Sequence, residues 1–211
     1  MEMAAWKRKT PKLTAHREPA SAGAVLRDCE LANESFLSMD TAGVTADNAK
    51  LTDCSFAEND LTGAVFIDTV FERCDFSNVQ AARADMRRCE FVNCKLTGAD
   101  FSQASAADVL FAQCDMRYSN FSFSGLVRAE FNETQLSDSD FFECSLKPVS
   151  FRNSRLENVN FRETDLAGID LSDCRFDRLE VTPAKIAGCR ISSEQAVGFA
   201  RMFGLLVDGE S

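Results

Sequence analysis

Histidine is all but missing from this chain. His16 is the only one among 211 residues, and there is one tryptophan and one tyrosine. With that single imidazole confined to the N-terminal segment, no Ser/His or Cys/His pair can assemble in the body of the chain. Neither GxGxxG nor GxxxxGK[ST] is present, which excludes the common glycine-rich phosphate cradles. No apolar run reaches the roughly 18 residues of a membrane-spanning helix. Met1 to Gly23 likewise lacks the apolar stretch of a secretory signal. The expectation is a cytoplasmic protein that is not an enzyme and uses no cofactor, metal or membrane.

What is present is a period. Stepping by five from Leu26 to Ile191 visits 34 positions; Phe or Leu fills 25 of them, and only Thr41 is polar. Five residues fit neither the 3.6-residue helical repeat nor the two-residue strand repeat. A short fixed period without insertions instead means stacked coils, each touching only its neighbours. The residues two before each central site are Cys, Ala, Ser, Thr or Val in 29 of 34 cases, and the remaining positions are mostly polar. One large and one small inward residue per five describes a narrow solenoid with its core on the axis.

Segments such as Leu96-Thr97-Gly98-Ala99-Asp100-Phe101 and Asp165-Leu166-Ala167-Gly168-Ile169-Asp170-Leu171 resemble the pentapeptide-repeat family, whose motif is A(D/N)LXX. That resemblance implies an all-β fold: a right-handed, quadrilateral parallel β-helix with four repeats, or 20 residues, per coil. Three segments follow. Residues 1–23 are a basic leader, with Lys7, Arg8, Lys9, Lys12 and Arg17 against Glu2 and Glu18, read as flexible or as an N-terminal cap seated by Trp6. Residues 24–191 are the β-helix, and 192–211 the C-terminal element. Glu34 and Met39 on small sites, with Thr41 and Ala46 on large ones, mark the first two coils as the least regular.

All nine cysteines (29, 54, 74, 89, 94, 114, 144, 174 and 189) fall on the small inward site. Cys54, Cys74, Cys94 and Cys114 would stack in one column at the sheet spacing of about 4.8 Å. Parallel Cβ atoms at that separation are too far apart for a disulfide, which prefers about 3.8 Å. Buried, reduced thiols are expected.

The tail abandons the period. Ser192 and Ser193 are helix caps and Glu194 lies in the first turn. Ala196, Val197, Phe199, Ala200, Met202 and Phe203 make a broad apolar surface, Gly204 ends the helix, and Leu205-Leu206-Val207 reads as a short strand. So much apolar surface exceeds what a lid on one coil needs. A two-fold, tail-to-tail dimer is expected, with Val197, Ala200, Phe203, Leu205, Leu206 and Val207 at the joint. The stretch from Gly188 to Ala200, with its Glu194-Gln195-Ala196, resembles the C-terminus of the MfpA/Qnr group within the same family. That resemblance implies a homodimer through this element and a DNA mimic that binds DNA gyrase and topoisomerase IV, without binding nucleic acid itself. Qnr proteins interrupt the rod with loops; this chain has none and is closer to MfpA in that respect.

Net charge is −10. Dividing the outward residues by a 20-residue coil leaves the first face neutral and the third nearly so, and puts the excess on two opposite faces. The second carries Glu90, Glu130, Glu133, Asp170 and Asp173; the fourth carries Asp60, Asp100, Asp140, Glu143 and Glu163. Such a rod has a duplex's outline, and these carboxylates are the candidate partner-binding residues. Phe123 and Phe142 are the only outward phenylalanines and fall on neighbouring rungs of the fourth face, with Tyr118 beside them. An exposed aromatic group in an acidic field reads as a contact site. The alternative is a scaffold of the same fold with an unrelated protein partner.

Overall fold

The computed structural model describes residues 23–36 and 42–207. The leader with Trp6, and the irregular sites Met39 and Thr41, lie outside the described residues. The chain forms a parallel β-solenoid of about eight turns with one short C-terminal helix. In chain order the strands are β1 Val25–Arg27, β2 Glu30–Ala32, β3 Thr45–Asp47, β4 Lys50–Thr52, β5 Val65–Ile67 and β6 Val70–Glu72. They continue as β7 Asp85–Val92, β8 Ser105–Ala112, β9 Gly125–Asn132, β10 Ser145–Arg152, β11 Val159–Phe161 and β12 Leu179–Val181. A 3₁₀ turn at Pro183–Lys185 interrupts the last coil before helix α1, Ser193–Met202.

Every strand pair is parallel and in register at 20 residues: Leu51 pairs with Phe71, Phe91 with Phe111, and Phe111 with Phe131. The first two faces are paired strands, which merge around their shared corner in β7 to β10. The third and fourth are held mostly by isolated bridges, such as Asp75 to Lys95 and Asp100 to Asn120. Corners recur two residues after each central site and adopt left-handed backbone, as at Asn48 (φ 53°), Asn78 (φ 55°) and Asp138 (φ 60°). Short polar residues tolerate this conformation because their side chains bond locally. At Gly98 (φ +69°) a Cβ would stand 2.4 Å from Asn78 Oδ1, so a side chain there would have to displace the Asn78 amide.

The axis is filled by phenylalanine columns. On the second face the rings of Phe71, Phe91, Phe111, Phe131 and Phe151 stack with centroids 4.8 to 5.1 Å apart. On the fourth face Phe101, Phe121, Phe141 and Phe161 stack at 5.0 to 5.3 Å. The two columns meet edge to face across the axis, Phe111 against Phe121 at 6.2 Å. Each ring is fully buried, worth about 1.5–3 kcal/mol apiece from removal of apolar surface.

Most thiols and hydroxyls on the small sites share one geometry, Ser119 and Ser139 excepted. Cys94 Sγ donates to the Phe71 carbonyl at 3.3 Å, Ser124 Oγ to Phe101 at 2.8 Å, and Thr134 Oγ1 to Phe111 at 3.1 Å. A short side chain with one donor reaches the coil beneath, which is why Cys, Ser and Thr alternate here. All nine cysteines are free, eight of them buried; Cys189 is half-buried. Glu34, on a nominally inward site, is exposed, and Leu26 and Leu31 of the same coil are only half-buried. A carboxylate has no partner on the axis and stays in water.

Candidate functional site

The charge on the rod is sorted by face. On the first face arginines reach carboxylates one rung away: Arg27 to Asp47 at 3.0 Å, Arg88 to Asp68 at 2.7 Å, and Arg128 to Asp108 at 2.5 Å. The Arg128 guanidinium holds the Asp108 carboxyl below its usual range. The acidic faces differ. Among the described residues, Glu90, Glu130, Glu133 and Asp173 on the second face make no ion pair, nor do Asp100, Asp140, Glu143 and Glu163 on the fourth. Asp170 of the same set lies 3.5 Å from Arg190.

Several of these aspartates also hold the fold. Oδ1 of Asp60 accepts the Thr62 amide at 2.8 Å, Asp100 that of Ser102 at 2.9 Å, Asp140 that of Phe142 at 2.8 Å, and Asp170 that of Ser172 at 3.0 Å. Each bond closes a turn on its own rung. Hydrogen bonds from Thr62 and Ser172 hold Asp60 and Asp170 below the ordinary carboxylate range. On the fourth face amides alternate with the carboxylates: Asn120 Nδ2 donates to Asp100 and Asn160 Nδ2 to Asp140, both at 3.1 Å. The repeat's Asp/Asn position therefore serves the corner first and the surface second, a role that reading it only as outward charge misses.

Along the rod the charge is also uneven. Residues 141–191 hold eight acidic and eight basic side chains, so the whole excess of the coils lies before them. The unpaired carboxylates from Glu90 to Glu143 occupy the middle of the rod.

Phe123 and Phe142 are in contact, ring centroids 5.5 Å apart at 80°. Tyr118 is 61 % exposed and Phe123 53 %. Both occupy left-handed corners (φ 61° and 63°), the only aromatics with positive φ among the described residues. For an ordinary side chain that backbone costs about 1–2 kcal/mol. Phe142 lies on the flat of the next rung and is half-buried.

The tail is the third feature. Ser192 and Gln195 form a reciprocal capping box at the start of α1. Gln195 also donates to the carbonyls of Leu171 and Cys174, both at 2.8 Å. Gly198 permits this docking, because a Cβ there would lie 2.9 Å from the Asp177 carbonyl oxygen. Phe199 is buried against Phe176 at 6.0 Å. Gly204 (φ +78°) ends the helix with bonds from Gly204 N to Arg201 O and Leu205 N to Ala200 O, both 2.9 Å. Phe203, Leu205 and Leu206 are exposed, Leu206 almost completely, while Val197, Ala200 and Val207 are half-buried. Residues 205–207 form no strand, contrary to their composition. A strand needs a paired edge, and among the described residues none pairs with this segment.

Among the described residues no three metal-ligating side chains converge, and no helix is long and apolar enough to cross a membrane. In fold, the solenoid is similar to HetL, a pentapeptide-repeat protein involved in heterocyst differentiation regulation in the cyanobacterium Nostoc sp. strain PCC 7120. The two share 14% identity over 81% of this chain and 86% of HetL, with a TM-score of 0.50. QnrB1, a plasmid-mediated fluoroquinolone resistance protein, matches at 18% identity over 86% of this chain and 99% of its own, with a TM-score of 0.38. No curated protein is significantly similar in sequence. The model of the pentapeptide repeat region matches residues 64–141 and 124–198, and that of the eight-copy pentapeptide repeats matches 42–78. With most of its coils so matched, the chain belongs to the pentapeptide-repeat family.

Proposed function

We propose that this protein is a non-enzymatic DNA mimic that binds DNA gyrase and topoisomerase IV as a homodimer in the cytoplasm. The observation that carries the reading is the run of unpaired carboxylates from Glu90 to Glu143 on two opposite faces of a slim rod. A pocket that binds a DNA segment through lysine and arginine meets there a polyanion of fixed shape. The tail supplies the second support. Its Glu194-Gln195-Ala196 opens a docked helix, and Phe203, Leu205 and Leu206 stand in water until a second copy covers them. Tail-to-tail pairing gives a long rod with a neutral centre and two acidic arms, so the arms are the partner-facing parts.

The neutral coils after residue 140 also favour a second reading, a scaffold for an unrelated protein, because a uniform duplex mimic carries charge to the joint. Supercoiling by purified gyrase, with and without a fluoroquinolone, separates the two. Mimicry predicts inhibition of supercoiling or reduced drug-dependent cleavage, weakening as salt rises. No effect on either reaction over a wide protein range selects the scaffold.

A further inference from the structure

Given that reading of the rod as a ligand of a cationic protein surface, we propose that Tyr118, Phe123 and Phe142 form a receptor for the partner's arginine side chains.

The placement of the rings points there. Tyr118 and Phe123 stand at opposite corners of the fourth face in a single coil, both largely exposed and both at left-handed positions that the other coils give to Asp, Asn, Glu, Gln, Arg or Gly. Phe142 extends the surface to the next rung, its carbonyl accepting the Phe123 amide at 2.9 Å. The 20-residue register sets Asp138 one rung from Tyr118 and Glu143 one rung from Phe123, with Asp140 between them. None of the three is in an ion pair among the described residues. Arg162, one rung beyond Phe142, is turned to Glu180 at 3.3 Å.

Open aromatic faces with unpaired carboxylates at their edges suit a planar cation. A guanidinium stacks on a ring while its N–H groups fork to a neighbouring carboxylate. An ammonium is more strongly hydrated and gains less from the ring. Charge alone attracts any cationic surface; the rings add a preference for arginine over lysine.

The test uses the full chain and two probes, an oligo-arginine and an oligo-lysine peptide of equal length, titrated by calorimetry at moderate salt. The wild type is expected to bind the arginine peptide about threefold more tightly per engaged side chain. Tyr118→Asn with Phe123→Asn should abolish the difference while leaving the weak, salt-sensitive binding common to both peptides. Asn occupies Tyr118's corner at Asn78 and Asn158, and takes the same left-handed backbone at other corners such as Asn48 and Asn93, so the variant should keep its circular dichroism and show an unchanged or raised melting temperature. Equal affinities in the wild type overturn the proposal, as does a preference that survives in the variant. A lowered melting temperature assigns the rings to packing and also overturns it. An arginine preference without any effect on gyrase would instead leave the receptor standing and remove gyrase as its partner.

Discussion

Gln195 Nε2 donates to the Leu171 carbonyl at 2.8 Å, tying the first turn of α1 to the last coil of the rod. The same nitrogen reaches Cys174 O, and Oε1 accepts the Ser192 amide, each at 2.8 Å. One buried amide thus satisfies two carbonyls that have no further coil above them and caps the helix that covers them. Gln195→Leu leaves both carbonyls unsatisfied and removes half of the capping box. The expected loss is about 2–4 kcal/mol, measured by denaturant unfolding, with hydrogen exchange rising first around residues 171–175. A loss below about 0.5 kcal/mol would show that water replaces the amide without cost.

Phe111 sits between Phe91 and Phe131 at 4.9 and 5.1 Å and is fully buried. A solenoid cannot collapse around a missing ring without breaking its 20-residue register, so most of the cavity should persist. Phe111→Ala should cost about 3–5 kcal/mol. A change under about 1 kcal/mol would mean that the column is not continuous.

Burial pushes the Cys89, Cys144 and Cys174 thiols up to about 12, and at Cys94 a bond with Cys114 adds to burial to reach about 12. In the unfolded chain a thiol ionises near 8.5. The folded values are raised, so the folded state retains protons that the unfolded state loses. Stability is therefore full below about pH 8.5 and falls as pH climbs toward the folded values. Melting temperatures between neutral and alkaline pH should show this decline, and it should shrink when Cys89 and Cys144 are replaced by Ala. Thiol reagents should label the native protein slowly, with half-buried Cys189 reacting first and all nine reacting after denaturation.

Phe203 and Leu206, both exposed at the tail, test the dimer. Light scattering is expected to give two chains for the wild type. Phe203→Asp with Leu206→Asp places charges in an apolar contact, which is strongly unfavourable, and should give one chain with its β circular dichroism intact. A wild-type monomer, or a variant that still pairs, removes the tail from the proposed mechanism.

The period in the sequence was enough to locate the core, because a residue such as Phe91 can be inward in only one register. It also assigns the cysteines to the core and sets Phe123 and Phe142 on neighbouring rungs, where their rings meet. Other features were hidden for physical reasons. That Asp100 and Asp140 close turns depends on the direction of Oδ1, which composition does not carry. The repeated Asp or Asn just before the central residue was the available signal. The left-handed backbone at Tyr118 becomes visible only when the corners are located by φ. Leu205 to Val207 had the composition of a strand and none of the neighbours, since pairing belongs to two segments and propensity to one. The clasp made by Gln195 required knowing where the last coil leaves its carbonyls.

The 20-residue register sets a rule of phase for this molecule. Removing four repeats shortens the rod by one rung, about 4.8 Å, and leaves every downstream side chain on its original face. Removing one repeat preserves the inward pattern equally well but rotates everything beyond the cut by a quarter turn. Deleting the single repeat Arg162 to Leu166 would then keep the core while turning α1 and its apolar tail relative to the acidic faces. Length and azimuth are thus separable in this chain, and the two kinds of deletion tell a surface that must be long from one that must be aligned.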